Sequence, residues 1–122
     1  MIYGLRAATT TNENTPQAIN EAMVELWQSF ISLNNYQEEN IIRVICSVTE
    51  DLDSCYPASF IRKAGFYNTA LLDVKQHHVE GEIPRCIRLL IHTNKPGKNL
   101  YLREAMRLRP EWGGNESAKF QS

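Results

Sequence analysis

Apolar residues recur along this chain in two rhythms, and each rhythm predicts its own kind of element. Between residues 19 and 31 they return every three or four positions, with polar residues on the opposite side, which predicts an amphipathic helix. Thr15 can cap free backbone N–H groups, and Pro16 suits the first helical position. We therefore expect a long helix from there to about residue 34.

Other runs of β-branched and aliphatic residues predict strands. The five predicted strands are residues 2–9, 41–49, 70–74, 84–91 and 101–108. The run 41–49 is nearly all apolar, as expected of a central strand with both faces covered. Pro57 opens a short helix that ends at Gly65, and Glu80-Gly81-Glu82 forms a hairpin-like turn before the fourth strand.

This order of elements predicts the fold class. It indicates an α+β fold, with a mixed five-stranded sheet that carries the long and the short helix on one face. At 122 residues the chain suits one domain, which we assign to residues 1–112, with residues 113–122 as a flexible tail. Because the second face of such a sheet needs a cover, we expect an oligomer.

Composition excludes several partners and compartments. The 13 basic and 14 acidic residues give a net charge of −1, whereas a nucleic-acid-binding protein would carry a basic excess. The N-terminus lacks a signal-peptide apolar run, and no segment approaches membrane-spanning length. Cys46, Cys55 and Cys86 are odd in number and show no paired spacing, which predicts a reducing, cytoplasmic location.

Two arginines stand inside the predicted strand 84–91, and they need an explanation. A guanidinium cannot lose its proton to ease burial, so Arg88 requires an anionic partner, either a carboxylate side chain or a ligand. Arg85 is interpreted as a surface or subunit-contact residue. Cys86, between apolar neighbours, is expected to be an inert buried thiol.

The candidate functional residues of this sequence are arginines and not the residues of a familiar catalytic motif. His77 and His78 are adjacent, the glycines are scattered, and no metal or cofactor motif emerges. The remaining candidates are Arg6, Arg62, Arg88 and Arg109, with Tyr101 as a hydroxyl donor. Such a set suits a small, multiply anionic ligand and a reaction that needs only positioning and charge stabilisation.

Several blocks of the sequence resemble one known family over residues 1–112. The blocks are Gly4 to Thr10, Ser47 to Leu52, Tyr56-Pro57-Ala58 with Arg62, Pro84 to Arg88, and Tyr101 to Pro110. Together they resemble the AroH-class monofunctional bacterial chorismate mutases. The resemblance implies a pseudo-α/β-barrel homotrimer with active sites between subunits. It also implies the Claisen rearrangement of chorismate to prephenate in Phe and Tyr biosynthesis, without metal, cofactor, nucleophile or general base.

The resemblance also implies roles for individual residues. Arg88 matches the arginine at the ether oxygen, where negative charge builds as the C–O bond breaks. Arg6 matches the residue that holds a substrate carboxylate, and Tyr101 the tyrosine on the enolpyruvyl side. Arg62 and Arg109 match a pair near the opening. The other matched positions are Tyr56, Ala58 and Ser59 at the mouth, Leu71, Leu72 and Asp73 on a lining strand, and Leu108 beside the base of the tail.

One position departs from the family pattern. Gln76 stands where the family often has a Glu that accepts a hydrogen bond from the ring hydroxyl. Gln76 can still accept through its amide oxygen, although it carries no charge. Asp73 stands where a Cys is common and could offer a carboxylate to the same hydroxyl.

Two other functions remain open at this stage. One is an imine or enamine deaminase of the YjgF kind, which has a similar trimeric fold and an arginine in its clefts. The other is a non-catalytic binder of an aromatic-pathway acid, with Gln76 marking lost activity.

Overall fold

A computed structural model describes residues 1–113 of the chain. Within that range a five-stranded sheet has the order β3-β2-β4-β1-β5. The strands are β1 (Tyr3–Thr10), β2 (Ile41–Val48), β3 (Ala70–Lys75), β4 (Cys86–Thr93) and β5 (Leu100–Tyr101). The α-helices are α1 (Pro16–Asn34) and α2 (Ser59–Lys63), and short 3-10 helices span Glu38–Asn40, Arg103–Arg107 and Pro110–Trp112. The mixed sheet with two helices confirms the predicted fold class.

The long helix begins and ends where its sequence requires. The Thr15 hydroxyl accepts a hydrogen bond from the Ala18 N–H at 3.1 Å, which satisfies one free donor of the first turn. At the other end Asn35 adopts a left-handed conformation with φ of 53°, a conformation that Asn tolerates well. The apolar stripe of α1, including Met23, Leu26 and Phe30, is fully buried.

The register of the strands divides the sheet into two faces. In β4, Ile87, Leu89 and Ile91 face the helices and belong to the main core with α1. Cys86, Arg88 and Leu90 alternate with them and therefore point to the opposite face. That second face carries a small buried cluster of Ala8, Cys86, Tyr101 and Ala105, against which Met106, Leu108 and Trp112 pack.

Part of the second face is apolar and uncovered within one chain. Leu72 and Val74 on β3 are 57% and 38% exposed, and Leu90 on β4 is 38% exposed. β3 also lies at the edge of the sheet. This surface, which we call the open face (Leu72, Val74 and Leu90), agrees with the expectation that something else covers it.

The last predicted strand was wrong beyond its first residue. β5 ends at Tyr101, and the chain turns into the 3-10 helix Arg103–Arg107. Its hydrogen bonds run from the Ala105 N–H to the Leu102 carbonyl and from the Leu108 N–H to the Ala105 carbonyl. Apolar residues three apart are the period of a 3-10 helix, and that spacing was overlooked in favour of strand-like composition.

The predicted turn at 80–82 is present, with the Glu82 N–H donating to the Val79 carbonyl at 3.0 Å, but it does not join the strands of a hairpin. β3 pairs in parallel with β2, and β4 pairs with β2 from the other side, so β3 and β4 are not neighbours. The segment 76–85 instead crosses the end of β2. The predicted tail, 113–122, lies outside the described residues apart from Gly113, which forms a bridge with Tyr101. In the described range, no helix is both long and apolar enough to cross a membrane.

Candidate active site

The start of β4 is tied to two other segments, and this fixes the strand that carries Arg88. The Cys86 N–H donates to the Thr49 hydroxyl at 3.0 Å, and the Arg85 N–H donates to the Asp51 carboxylate at 2.9 Å. The Arg85 Nε donates to the Thr11 carbonyl at 3.0 Å. Arg85 is therefore half-buried and bound to its own chain, in a left-handed conformation with φ of 50°.

Arg88 lies at the centre of the sheet, and no carboxylate of residues 1–113 forms an ion pair with it. It is flanked by Ser47 on β2 and Ala8 on β1, and Ala8 in turn pairs with Tyr101 on β5. Among the ion pairs of residues 1–113, none includes Arg88. Its Nε is buried and finds no acceptor in the described chain. A carboxylate side chain as the partner of Arg88 is thus not found among residues 1–113.

Gln76 shares a cavity with Arg88. The cavity has a volume of about 440 Å³, and its lining residues are Gln76, His77, Val79, Glu80, Gly81, Glu82 and Arg88. The Gln76 Oε1 is buried and, as far as the structure describes the chain, accepts no hydrogen bond. A buried donor and a buried acceptor without partners both line one cavity, and such groups cost free energy unless a ligand or water satisfies them.

Arg6, Arg109 and Tyr101 gather around the indole of Trp112. The guanidinium carbon of Arg109 lies 3.8 Å from the ring centroid and that of Arg6 lies 4.9 Å from it. The Tyr101 ring meets the same indole edge to face, at a centroid distance of 5.3 Å. The two cations are thus held against one aromatic ring, next to a phenol.

The charges at Tyr101 show that the arginines converge there. Burial raises the pKa of the Tyr101 phenol, while Arg6, Arg88 and Arg109 each act to lower that pKa. Burial outweighs the arginines, so the phenol keeps its proton at neutral pH and can donate a hydrogen bond. Leu108 packs in the same small cluster as Tyr101. We call Arg6, Gln76, Arg88, Tyr101, Leu108 and Arg109 the arginine group.

The other predicted site residues form a second group at α2 and β3. This group, the α2–β3 group, comprises Tyr56, Ala58, Ser59, Arg62, Leu71, Leu72 and Asp73. The Asp73 carboxylate accepts a hydrogen bond from the Ala58 N–H at 3.0 Å, which ties β3 to the start of α2. Tyr56 and Asp73 line a separate cavity of about 370 Å³. Within one chain Asp73 therefore opens into a different cavity from Gln76.

Exposure varies within each group. Tyr56 is 76% exposed, and Arg62 is also exposed on α2, whereas Ala58 beside them is buried. Tyr101 is almost fully buried, whereas Arg6 is exposed. The mouth residues Tyr56 and Arg62 are thus open to solvent, and Tyr101 is enclosed by its own chain.

Sequence reasoning missed Trp112 and Glu82. Trp112 follows Arg109 by three positions, the spacing at which side chains meet in a short helix, so this contact had a local signal. Glu82 gives no such signal, because its contact with Gln76 spans a loop. Its carboxylate accepts a hydrogen bond from the Gln76 Nε2 at 3.2 Å.

The cysteines of both regions are poor nucleophiles. Burial raises the pKa of the Cys86 thiol, although nearby Arg88 acts against the rise. Burial also raises the pKa of Cys46, with the Asp73 carboxylate adding to it, and the pKa of Cys55. A raised pKa lowers the thiolate fraction at neutral pH, which supports the interpretation of Cys86 as an inert thiol.

Known proteins match this chain along nearly its whole described length. A family model described as "Chorismate mutase type I" matches residues 2–112. "Chorismate mutase AroH" of Thermus thermophilus is 41% identical over 117 residues, which cover 91% of this chain and 96% of the relative. "Chorismate mutase AroH" of Bacillus subtilis (strain 168) is 28% identical over 117 residues, covering 91% and 92%.

A solved structure matches as well. "Chorismate mutase from Clostridium thermocellum Cth-682" superposes with a TM-score of 0.83 and 33% sequence identity, covering 86% of this chain and 98% of that one. The fold and the matches define an isomerase that works on a small anionic substrate. The chain belongs to the chorismate mutase type I family, the enzymes that isomerise chorismate to prephenate. The predicted family, fold class and chorismate mutase activity are thereby confirmed.

Proposed function

We propose that the protein rearranges chorismate to prephenate in the cavity over Arg88, by positioning and electrostatic stabilisation alone. The observation that carries this proposal is the pair of buried groups without partners in residues 1–113, the Arg88 Nε and the Gln76 Oε1, lining one 440 Å³ cavity. One offers a cationic donor and the other offers a neutral acceptor. Chorismate, with an ether oxygen and a ring hydroxyl, presents the complementary groups.

Arg88 supplies the main catalytic interaction. The rearrangement breaks the ether C–O bond while a C–C bond forms within the same molecule, so no atom enters or leaves. Negative charge develops on the ether oxygen in the transition state, and the fixed guanidinium stabilises it more strongly than it stabilises the substrate. Because the electrons move within one molecule, the step needs no nucleophile, general base, metal or cofactor.

The rest of the arginine group orients the substrate. Arg6 and Arg109, both held against the Trp112 indole, bind the carboxylates as charge-assisted hydrogen-bond donors. The protonated phenol of Tyr101 donates on the enolpyruvyl side, and Leu108 closes an apolar wall beside it. Gln76 accepts from the ring hydroxyl in place of the family's usual Glu. Holding both ends of the substrate reduces the entropic cost of the reactive conformation.

The α2–β3 group completes the site from a neighbouring subunit of a homotrimer. In support, Tyr56 and Asp73 line a different cavity from Arg88 within one chain, and Tyr56 and Arg62 are exposed. The open face supplies apolar area for such a contact. In the assembly, Tyr56, Ala58, Ser59 and Arg62 would form the mouth, while Leu71, Leu72 and Asp73 line the wall.

The cellular setting that we propose is the cytoplasm, in the synthesis of Phe and Tyr. Three free cysteines suit a reducing compartment. The substrate is a soluble small molecule, so neither a nucleic acid nor a membrane partner is required.

The experiment is a direct assay of purified protein. Chorismate consumption and prephenate formation are followed with and without a chelator, with no cofactor added, and we expect turnover under both conditions. A folded preparation that leaves chorismate unchanged would refute the proposal.

The intersubunit site is tested by complementation. Arg88→Ala and Arg62→Ala chains are refolded separately and together, since a mixed trimer would contain sites with both arginines intact. We expect activity to reappear only in the mixture. Activity of the mixture equal to the average of the separate preparations would contradict a shared site.

The second candidate is a non-catalytic binder of an aromatic-pathway acid, favoured by the neutral Gln76 at a position where the family often has Glu. Tight binding of a bicyclic dicarboxylate mimic of the transition state without turnover would support it.

A further inference from the structure

The Gln76 amide is held in one orientation by a carboxylate. Its Nε2 donates to the Glu82 Oε1 at 3.2 Å. An ionised carboxylate can only accept hydrogen bonds, so this contact requires the NH₂ end of the amide to face Glu82. The Oε1 end must then face away, and it is this atom that is buried without a donor from residues 1–113.

Glu82 is itself fixed on three sides. The same Oε1 accepts from the Val79 N–H at 3.2 Å, and the other oxygen lies 3.2 Å from the His78 Nδ1. The side chain is only 14% exposed. The hydrogen bond from Val79 is the largest influence that lowers the pKa of Glu82, and His78 and Gln76 lower it further. Glu82 is therefore a carboxylate at neutral pH.

We propose that Glu82 is a positioning residue, which locks the Gln76 amide with its oxygen towards Arg88 so that the site accepts a hydrogen bond from a ligand hydroxyl. The inference deepens the proposed function and rests on it for the identity of the ligand. An amide that is free to rotate by half a turn would present NH₂ to the hydroxyl for part of the time. In this chain a neutral amide and a carboxylate behind it together provide an acceptor of fixed direction.

Several other charged or titratable groups lie around Gln76 and Glu82. His78 also lies 3.7 Å from the Glu50 carboxylate. His77, Glu80 and Arg88 line the same cavity. The Cys86 thiol, two residues before Arg88, is affected by the charge of Glu82.

The first test compares Glu82→Ala with Glu82→Gln. Alanine frees the Gln76 amide, so we expect kcat/KM for chorismate to fall roughly three- to tenfold, the value of one ligand hydrogen bond. The glutamine variant retains a side-chain oxygen that accepts from Val79 and Gln76, so it should restore most of the loss. Glu50→Ala is the matched control, because it removes a neighbouring carboxylate that contacts His78 and not Gln76.

The second test uses a pH profile, which a purely structural role would not change. In Gln76→Glu two carboxylates share the 3.2 Å contact, so one of them keeps a proton to higher pH. We expect its kcat/KM to vary with pH where that of the wild type is flat. Adding Glu82→Gln should remove this variation, because the amide introduced at position 82 can donate to the carboxylate introduced at position 76. Identical profiles for the single and the double variant would overturn the inference.

The third test separates this inference from the proposed function. Calorimetry compares binding of a bicyclic dicarboxylic acid that carries a ring hydroxyl with binding of the same acid without it. The wild type should prefer the hydroxylated acid, Glu82→Ala should lose that preference, and Glu82→Gln should keep it. An enzyme without turnover would refute only the proposed reaction, since this ratio needs none. An equal preference in wild type and Glu82→Ala would refute the role of Glu82.

Discussion

The arginine group and the α2–β3 group differ in how closely residues of their own chain surround them. Around Arg88, the strands of one chain supply the flanking residues, and Trp112 lies against Arg6 and Arg109. At α2 and β3, the hydrogen bond from Ala58 to Asp73 joins the two elements. Tyr56 and Leu72 are more than half exposed.

The two groups have different roles in the proposed site. Arg6 and Arg88 lie on the inner strands β1 and β4, where a neighbouring strand on each side restricts the direction of the charge. Leu71, Leu72 and Asp73 lie on the edge strand β3, where the proposed contact with a neighbouring subunit would complete the site. Variants in the two regions should therefore fail in different ways.

Removing Arg88 is the largest change. We expect Arg88→Ala to lower kcat/KM by about 10²–10³ or more, as for loss of one preorganised donor, with no change in oligomeric state. Arg107→Ala removes an exposed arginine of the same chain and should have little effect. Steady-state kinetics measures both, and a loss under about tenfold for Arg88→Ala would move Arg88 away from the reacting oxygen.

A charge on the open face should act through assembly. Leu72→Glu places a carboxylate where an apolar contact is proposed, which should weaken each subunit contact by about 2 kcal/mol, roughly 30-fold in dissociation constant. Sedimentation velocity should then show dissociation, and activity should recover as protein concentration rises. Val24→Glu, on the exposed side of α1, is the control and should stay assembled. A fully assembled Leu72→Glu would contradict the proposed interface.

Trp112 should affect binding more than chemistry. Trp112→Ala releases Arg6 and Arg109 from the indole, contacts worth about 0.5–2 kcal/mol, so KM should rise roughly 2- to 30-fold while kcat changes little. Trp112→Phe keeps a ring and should lie between the two. A fall in kcat with constant KM would indicate instead that Trp112 supports the transition state.

Alkylation of the three cysteines compares the same two regions in the wild-type protein. Cys55 is half-buried beside Tyr56, whereas Cys86 and Cys46 are fully buried. Iodoacetamide should modify Cys55 slowly, because its pKa is raised, and should reach the other two only after unfolding. Mass spectrometry of digested protein locates the adducts. Early modification of Cys86 in folded protein would show that the Arg88 region opens.

The smallest expected effect is on stability. Because hydrogen bonds lower the pKa of folded Glu82, its ionised form stabilises the protein above the pKa of the unfolded chain, and this contribution is lost as the pH falls through the folded-state value. Urea unfolding should therefore show wild type and Glu82→Gln converging in acid. A difference that grows as the pH falls would reverse the assigned sign.

The sequence predicted those features that depend on the spacing of residues close together in the chain. The cap at Thr15, the stripe of α1 and the aliphatic run of β4 are each a property of neighbouring residues, and the structure contains the helix and the strand that they predict. The predicted end of the last strand was wrong because apolar residues recur every third position within a segment of strand-like composition. These residues are Leu102, Ala105 and Leu108.

Contacts across loops were beyond the same reasoning. No spacing in the sequence indicates the contact between Gln76 and Glu82, because this contact depends on how the segment between them turns, with φ of 84° at Gly81. The roles of Arg88 and Arg6 came from the family resemblance, and the register explains only why both point to one face.

The pairing of β1 with β4 has a consequence for how the protein is made. Tyr3 pairs with Thr93 and Thr10 with Cys86, so the middle of the sheet joins two distant parts of the chain. Contacts this far apart in sequence form slowly, and on a ribosome they must wait until the chain has emerged as far as Thr93. Until then β1 has neither of its neighbouring strands, and the cavity at Arg88 does not exist. The sheet around Arg88 should therefore form in one late step, once β4 and β5 have left the ribosome.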